Sequence, residues 1–166
     1  MPTVRGDPIE LYLMRHAEAM TAEQDPRRPL TEAGRAAAER VAARAAASGA
    51  RVDRLYHSDA ARARQTAAVL AGRLGAADRM EVWPELGENA RNIGAVARRL
   101  RAETERHGAV VLVGHMPLLG RLASHLVAGD ENAEVLQFKA GALVKLAAKE
   151  AGEGFAVAWA LPPELA

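Results

Sequence analysis

The chain of 166 residues contains no cysteine, and only 4% of its residues are aromatic. The first absence excludes disulfides, thiolate metal sites and cysteine nucleophiles, and the second disfavours nucleic-acid recognition by base stacking. No apolar run is long enough to span a membrane, and the first ten residues lack the apolar core of a signal peptide. These absences predict a cytoplasmic protein.

The chain also has almost no net charge, with 22 Lys and Arg against 21 Asp and Glu. No overall field would attract nucleic acid or a membrane surface, so we expect neither as a partner. At this length a single domain can bury about 70% of the surface of the unfolded chain. We expect one domain over residues 9–166 after a flexible tail over residues 1–8, whereas nothing in the sequence specifies an oligomeric state.

Short apolar runs alternate with Ala-rich helical segments along the chain. Thr31 is a suitable N-cap for a first helix, and Ser58 for a second. The run from Ala109 to Val113 carries no charge, as expected of a central strand that is covered on both faces. The pattern predicts strands at 9–14, 52–56, 80–83 and 109–113, helices at 32–48, 59–74, 89–107 and 118–128, and final strands at 141–148 and 154–161 joined by a turn at 150–153.

This alternation predicts the α/β class, as a three-layer α/β/α sandwich with a mostly parallel central sheet and a C-terminal edge hairpin. Ligands bind such sheets beyond the carboxyl ends of the strands. Three places in the chain satisfy that rule, namely Arg15-His16, Tyr56-His57-Ser58 and Gly114-His115.

Each of these places also has an ordinary structural explanation. Arg15 and His16 could leave the sheet for solvent, and a histidine after a buried strand could be a simple cap. Arg62, one turn into the second predicted helix, would reach back over the free N–H groups at the helix start and form an anion site. Taken alone, it would more often be a surface residue. A functional interpretation therefore requires the three places together.

Together they resemble the histidine phosphatase superfamily, also known as the phosphoglycerate mutase-like family. Its hallmarks are Arg-His-Gly at the first strand end, Ser-Pro-x-x-Arg-x-x-Gln-Thr at the second helix and Gly-His after a later strand. Here they appear as Arg15-His16-Ala17, Ser58 to Thr66 and Gly114-His115. The segments Arg28–Gly34 and Trp83–Leu86 also look like parts of the family pattern. The resemblance is strongest to the small bacterial phosphohistidine phosphatases of the SixA type.

Two positions depart from the family pattern. Ala17 replaces the usual glycine, which would cost about 1–2 kcal/mol if the position required a positive φ. Asp59 replaces a proline, and although an acidic residue suits a helix N-terminus, it adds a negative charge beside the expected anion site. Asp59 could therefore weaken phosphate affinity or restrict the substrates.

The resemblance implies that His16 attacks phosphorus as a neutral imidazole and becomes phosphohistidine. Arg15, Arg62 and a protonated His115 would surround the phosphoryl oxygens, and Met116 would be a further phosphate-binding position. Because phosphoryl transfer depends mainly on positioning and charge stabilisation, this cationic cage would take the place of a metal ion. We therefore expect neither a metal site nor a cofactor.

Other candidate residues have secondary roles in this scheme. Glu85 is the candidate proton donor to the leaving group, and Glu18 is the alternative. His57 is expected to be structural or merely adjacent. Only 30 positions separate Glu85 from His115 (115 − 85), which leaves no room for a lid and predicts an open, shallow site.

The expected function is that of a phosphohistidine phosphatase, because an open site suits a phosphorylated protein better than a small metabolite. A small-molecule phosphomonoesterase and a phosphoglycerate mutase-type phosphotransferase are the alternatives. Mutases usually carry insertions that form a cap and a tail, and this chain has no such insertions. A non-catalytic phosphate-binding module is disfavoured because both arginines and both histidines are present.

Overall fold

The structure is a computed structural model that describes residues 8–150 and 153–166. Nearly all of the expected tail, and two positions of the expected turn at 150–153, lie outside the described residues. The described strands and α-helices follow one another as β1 (Glu10–Arg15), α1 (Glu32–Ala47), β2 (Arg54–His57), α2 (Ala61–Arg73), β3 (Met80–Val82), α3 (Ile93–His107), β4 (Ala109–Gly114), α4 (Leu118–Ala128), β5 (Leu143–Ala148) and β6 (Phe155–Leu161).

The strands form one sheet in the order β3-β2-β4-β1-β5-β6. The four strands from β3 to β1 are parallel, β5 is antiparallel to β1, and β6 is antiparallel to β5. The mostly parallel sheet and the C-terminal edge hairpin are therefore confirmed. All six residues of β4 are buried, as its uncharged sequence predicted for a central strand.

The sheet separates two hydrophobic cores, because successive side chains of a strand point to opposite faces. Leu11 and Leu13 of β1 pack with residues of α3 and α4, whereas Tyr12 and Met14 pack with residues of α1 and α2. The result is the expected three-layer sandwich. Within the described ranges, no helix combines the length and the apolar character that crossing a membrane requires.

The ends of two helices follow local sequence signals. The hydroxyl of Thr31 accepts a hydrogen bond from the N–H of Gly34 at 2.9 Å, which confirms Thr31 as the N-cap of α1. α3 begins later than predicted, with Asn92 as its N-cap, because residues 84–86 form a separate turn of 3-10 helix. It ends at Gly108, whose φ of 83° favours glycine.

The predicted start of α2 is wrong. The helix begins at Ala61, and its N-cap residue, Ala60, makes no side-chain capping bond. Ser58 instead places its hydroxyl oxygen 2.7 Å from Nε2 of His115. Both residues are buried, so each needs a hydrogen-bond partner inside the protein, and this tertiary contact takes precedence over the cap.

Close approach of two backbone segments fixes the N-terminus of α1. The N–H of Thr31 donates to the carbonyl oxygen of Glu18 at 3.0 Å. Gly34 lies so close to the same carbonyl that a Cβ atom there would be 2.0 Å from the oxygen. Only glycine fits this contact, which anchors α1 to the segment that directly follows His16.

Candidate active site

The three places singled out in the sequence meet at the carboxyl ends of β1, β4 and β2. Arg15 pairs in register with Gly114, and His57 with Val113. The N–H of His16 donates to the carbonyl of Gly114 at 3.0 Å. Pairing between β1 and β4 thus brings His16 beside His115, and the centres of their rings are 5.2 Å apart.

The backbone fixes which nitrogen of His16 can act as a nucleophile. Nδ1 lies 2.8 Å from the carbonyl oxygen of Ala17. A carbonyl oxygen only accepts hydrogen bonds, so in the neutral ring Nδ1 carries the proton and Nε2 keeps its lone pair. The N–H of Ala17 in turn donates to the hydroxyl of Thr66 at 3.0 Å.

The replacement of the family glycine by Ala17 carries no conformational cost. Among the described residues, the non-glycine positions with positive φ are Arg28 and Glu134, and Ala17 is not one of them. Its methyl group is fully buried in the core under α1 and α2. The position therefore accepts alanine without the strain that a left-handed backbone would impose.

Both histidines are neutral at neutral pH in the field of the protein. The pKa of His16 is lowered to about 4, mainly by burial and also by charge interactions with His115, Arg62 and Arg15, whereas the hydrogen bond to Ala17 raises it. The pKa of His115 is also lowered to about 4, mainly by burial and next by the positive charge of Arg62. Burial therefore favours the neutral form of His115 in the free protein, whereas a nearby phosphoryl dianion would favour the charged form predicted from the sequence.

Two arginines supply the permanent positive charge. Nη1 of Arg15 donates to the carbonyl of Phe138 at 2.7 Å, and Nη2 of Arg62 donates to Oε2 of Glu88 at 2.8 Å. Arg62 is 6% exposed. These contacts hold the guanidinium groups in place but leave other nitrogens of both groups available.

Several nitrogens of the cluster have no partner in the protein. Five buried side-chain nitrogens of the described residues lack a hydrogen bond, and three of them are Nε of Arg15, Nε of Arg62 and Nδ1 of His115. A buried polar group without a partner costs about 1–3 kcal/mol. An anion bound beside His16 could accept hydrogen bonds from these groups, which makes them a candidate anion site.

The structure does not bring the two candidate proton donors into this cluster. Glu85 pairs with Nη1 of Arg99 at 3.4 Å, and the cavity that it lines shares no residue with the cluster. Glu18 accepts a hydrogen bond from the hydroxyl of Thr31 at 2.7 Å. Both carboxylates are exposed, and both have other partners.

The carboxylate that does reach the cluster is Glu88, which the sequence did not single out. Besides its bond to Arg62, it lies 3.8 Å from Nη1 of Arg28. Arg28 belongs to a segment that matched the family pattern, but no role was expected for it. No local sequence signal marks Glu88, because it is an exposed residue of a loop between short elements.

A cavity of about 340 Å³ adjoins the cluster. Arg15, Met116 and Pro117 line it, and the rest of its wall comes from α4 and the segment 131–138. The expectation of a shallow site missed this cavity, because no element was predicted in that segment. The described residues contain no group of three or more His, Asp or Glu side chains that could hold a metal ion.

His57 lies next to the cluster in a structural position. It is 3% exposed, and its Nδ1 lies 2.8 Å from the carbonyl oxygen of Ser58, so this nitrogen donates in the neutral ring. The bond holds the end of β2 where Ser58 can reach His115.

We expect NMR titration of the free protein to show His16 and His115 protonating with midpoints near pH 4, because both pKa values are lowered to about 4. The rings should stay neutral above that pH, and inorganic phosphate should raise both midpoints since a dianion favours the charged forms. His16→Ala and His115→Ala variants assign the signals. Midpoints at the ordinary value, about 6.5, would contradict the burial that the structure shows.

A histidine with a free Nε2, two arginines and a second histidine lie together at the strand ends of an α/β sandwich, an arrangement suited to phosphoryl transfer. Residues 11–92 match the model of the histidine phosphatase superfamily, branch 1, and the chain belongs to this superfamily. It is a phosphatase.

The most informative relatives are small bacterial proteins of similar length. The phosphohistidine phosphatase SixA of Escherichia coli K12 is 29% identical over 148 residues, which cover 88% of this chain and 89% of that protein. A solved structure of the protein histidine phosphatase SixA with tungstate has a TM-score of 0.82 and 28% identity, covering 93% of this chain and 97% of that one. A structure described as the putative phosphohistidine phosphatase SixA from Agrobacterium tumefaciens has a TM-score of 0.77 and 30% identity, covering 94% of this chain and 99% of that one.

Proposed function

We propose that the protein is a phosphohistidine phosphatase that works through a covalent phosphohistidine on His16. The observation that carries the proposal is the set of unpartnered nitrogens of Arg15, Arg62 and His115 beside the free Nε2 of His16. The likeness to phosphohistidine phosphatases over nearly the whole chain supports the substrate. A phosphorylated protein is the partner that we propose, and the cytoplasmic location stays a prediction.

The mechanism has two displacements at phosphorus. Nε2 of His16 attacks, a P–N bond forms, and the bond to the leaving nitrogen breaks with its electron pair. Water then attacks phosphorus, the P–N bond to His16 breaks with its electron pair returning to Nε2, and inorganic phosphate leaves with both protons of the water. Arg15 and Arg62 stabilise the phosphoryl oxygens in both steps, and the hydrogen bond from Nδ1 to the carbonyl of Ala17 stabilises the positive charge on the phosphorylated ring.

This geometry does not support Glu85 as the proton donor, because its carboxylate pairs with Arg99 outside the cluster. A phosphohistidine substrate needs little help of this kind. Its leaving group is an imidazole, which can already carry a proton near neutral pH. Because the Glu85 carboxylate is not placed to protonate a leaving group, an imidazole is favoured over an alcohol.

One observation favours a second candidate, a phosphomonoesterase of small molecules. The cavity of about 340 Å³ beside Arg15 and Met116 could receive the remainder of a small phosphorylated compound. Nothing comparable favours a mutase, for which a second phosphorylated position of the substrate would also have to be bound.

The test is the ratio kcat/KM for a phosphohistidine peptide against a panel of metabolite phosphates. We expect the peptide to be the best substrate, and activity to persist in excess EDTA because the cage supplies the charge of a metal ion. Tungstate should inhibit by occupying the phosphate site. A metabolite that is preferred about a hundredfold, roughly 2.7 kcal/mol of transition-state free energy, would support the second candidate instead. Loss of activity on chelation, restored by Zn²⁺ or Mg²⁺, would contradict the mechanism.

A further inference from the structure

Glu88 is an exposed residue whose carboxylate contacts a buried arginine of the proposed phosphate site. Its side chain is 57% exposed, whereas that of Arg62 is 7% exposed. One carboxylate oxygen lies 2.8 Å from Nη2 of Arg62, and the other lies 3.8 Å from Nη1 of Arg28. The carboxylate therefore stands at the rim of the site, held between two guanidinium groups.

Arg62 can bind a phosphoryl group without losing Glu88. Its Nε is buried and has no partner, so this nitrogen remains for a phosphoryl oxygen while Nη2 keeps its bond to the carboxylate. Nδ1 of His115, whose residue is 2% exposed, is likewise unpartnered. These two groups place the ligand's phosphoryl group below the rim and beside Glu88.

A second carboxylate lies at the same rim. The negative charges of Glu88 and Asp59 both oppose the lowering of the His115 pKa, so both act on the buried site through space. Asp59 is exposed and directly follows Ser58, the hydrogen-bond partner of His115. With Arg28 and Arg62 present, the rim has no excess of positive charge to attract further anionic groups.

A leaving group that extends from the buried phosphoryl group towards solvent beside Arg62 passes this rim. A carboxylate accepts hydrogen bonds and has no proton to donate. It attracts N–H groups and positive charge, and it repels a second anionic group on the substrate.

We propose that Glu88 is a specificity-determining residue that favours leaving groups bearing N–H donors or positive charge and disfavours leaving groups with additional negative charge. The inference rests on the proposed phosphate site and narrows its substrate class. Phosphoramidates and phosphoryl groups in basic surroundings are favoured, whereas phosphorylated carboxylic acids and bisphosphates are disfavoured. The negative charge of Asp59 favours and disfavours the same leaving groups as that of Glu88.

Two aryl phosphates that share their reacting group test this inference. O-phosphotyramine carries a positive charge on its leaving group, and 4-carboxyphenyl phosphate carries a negative one. The measurement is the kcat/KM for O-phosphotyramine divided by the kcat/KM for 4-carboxyphenyl phosphate. Glu88→Gln should lower the ratio about three- to tenfold, the effect of one partly screened charge at the rim. Raising the salt concentration should lower the ratio of the parent enzyme and leave that of the variant nearly unchanged.

The matched control is Glu85→Gln, because Glu85 is also 57% exposed but pairs with Arg99. This variant should keep the parental ratio. The affinity for inorganic phosphate, which has no leaving group, is measured by calorimetry for each variant. This affinity separates an effect on the leaving group from an effect on Arg62. If Glu88 only positioned Arg62, the substitution would weaken phosphate binding and lower kcat/KM equally for both substrates.

An unchanged ratio in Glu88→Gln, with phosphate still bound and both esters hydrolysed, overturns the inference and leaves the proposed function intact. A parallel loss for both esters overturns it as well and makes Glu88 a support of Arg62. If the parent protein binds no phosphate and hydrolyses neither these esters nor a phosphohistidine peptide, the proposed function fails and the inference fails with it.

Discussion

His16→Ala is expected to abolish turnover, with a loss of about 10⁴-fold or more in kcat, as for removal of a covalent nucleophile. The free Nε2 of His16 is the nucleophile in the proposed mechanism, whereas Nε2 of His115 lies 2.7 Å from the hydroxyl of Ser58. Steady-state hydrolysis of a phosphohistidine peptide measures the loss. His125→Ala on α4 is the control histidine, and it should retain the parental rate.

The same variant tests the intermediate directly. Rapid quenching of the parent enzyme with labelled substrate should trap an acid-labile, base-stable phosphoenzyme, and His16→Ala should yield none. Phosphate affinity should persist in the variant, because Arg15 and Arg62 remain. Substantial turnover by His16→Ala would exclude His16 as the nucleophile.

The largest effect on stability is expected from Gly34→Ala. A Cβ atom at this position would lie 2.0 Å from the carbonyl oxygen of Glu18, a backbone atom that cannot move aside alone. We expect the free energy of unfolding to fall by about 3 kcal/mol or more, at the upper end of overpacking costs. Because Glu18 follows Ala17 directly, displacement of α1 should also reduce activity in the molecules that still fold.

Urea denaturation measures the change, and Gly72→Ala in α2 is the matched control. A Cβ atom at Gly72 would meet nothing within 4 Å. Alanine is the better helix former by about 0.5–1 kcal/mol, so this variant should be more stable than the parent. Equal stability of the two alanine variants would contradict the close contact between Gly34 of α1 and the carbonyl oxygen of Glu18.

Much of the fold was predictable because the signals are local. An uncharged apolar run specifies β4 in the centre of the sheet, and Thr31 starts α1 with the predicted capping bond. Ser58 shows the limit of such signals. Its residue type suits a helix N-cap, but burial beside His115 gives its hydroxyl a tertiary partner that the local sequence does not contain.

The part of the candidate site that lies at the ends of neighbouring strands was predictable from the sequence. Arg15 and His115 come from neighbouring parallel strands, so the rule for ligands at carboxyl strand ends places them in one region. Glu88 was not predictable, because its contact with Arg62 joins residues 26 positions apart (88 − 62) through an exposed loop. Glu85 was chosen because its segment resembles the acidic segment of the family pattern, whereas the loop brings the next acidic residue, Glu88, to Arg62.

The pairing of β1 with β4 has a consequence for the folding of the chain. Arg15 and Gly114 are register partners 99 positions apart (114 − 15), so the loop that closes when they meet contains most of the molecule. Such a long-range pairing forms late compared with the local turns of α1 or α2, because the entropy of loop closure must be overcome first. Phosphate binding during refolding therefore reports completion of the central sheet, and recovery of helical signal alone does not indicate an active enzyme.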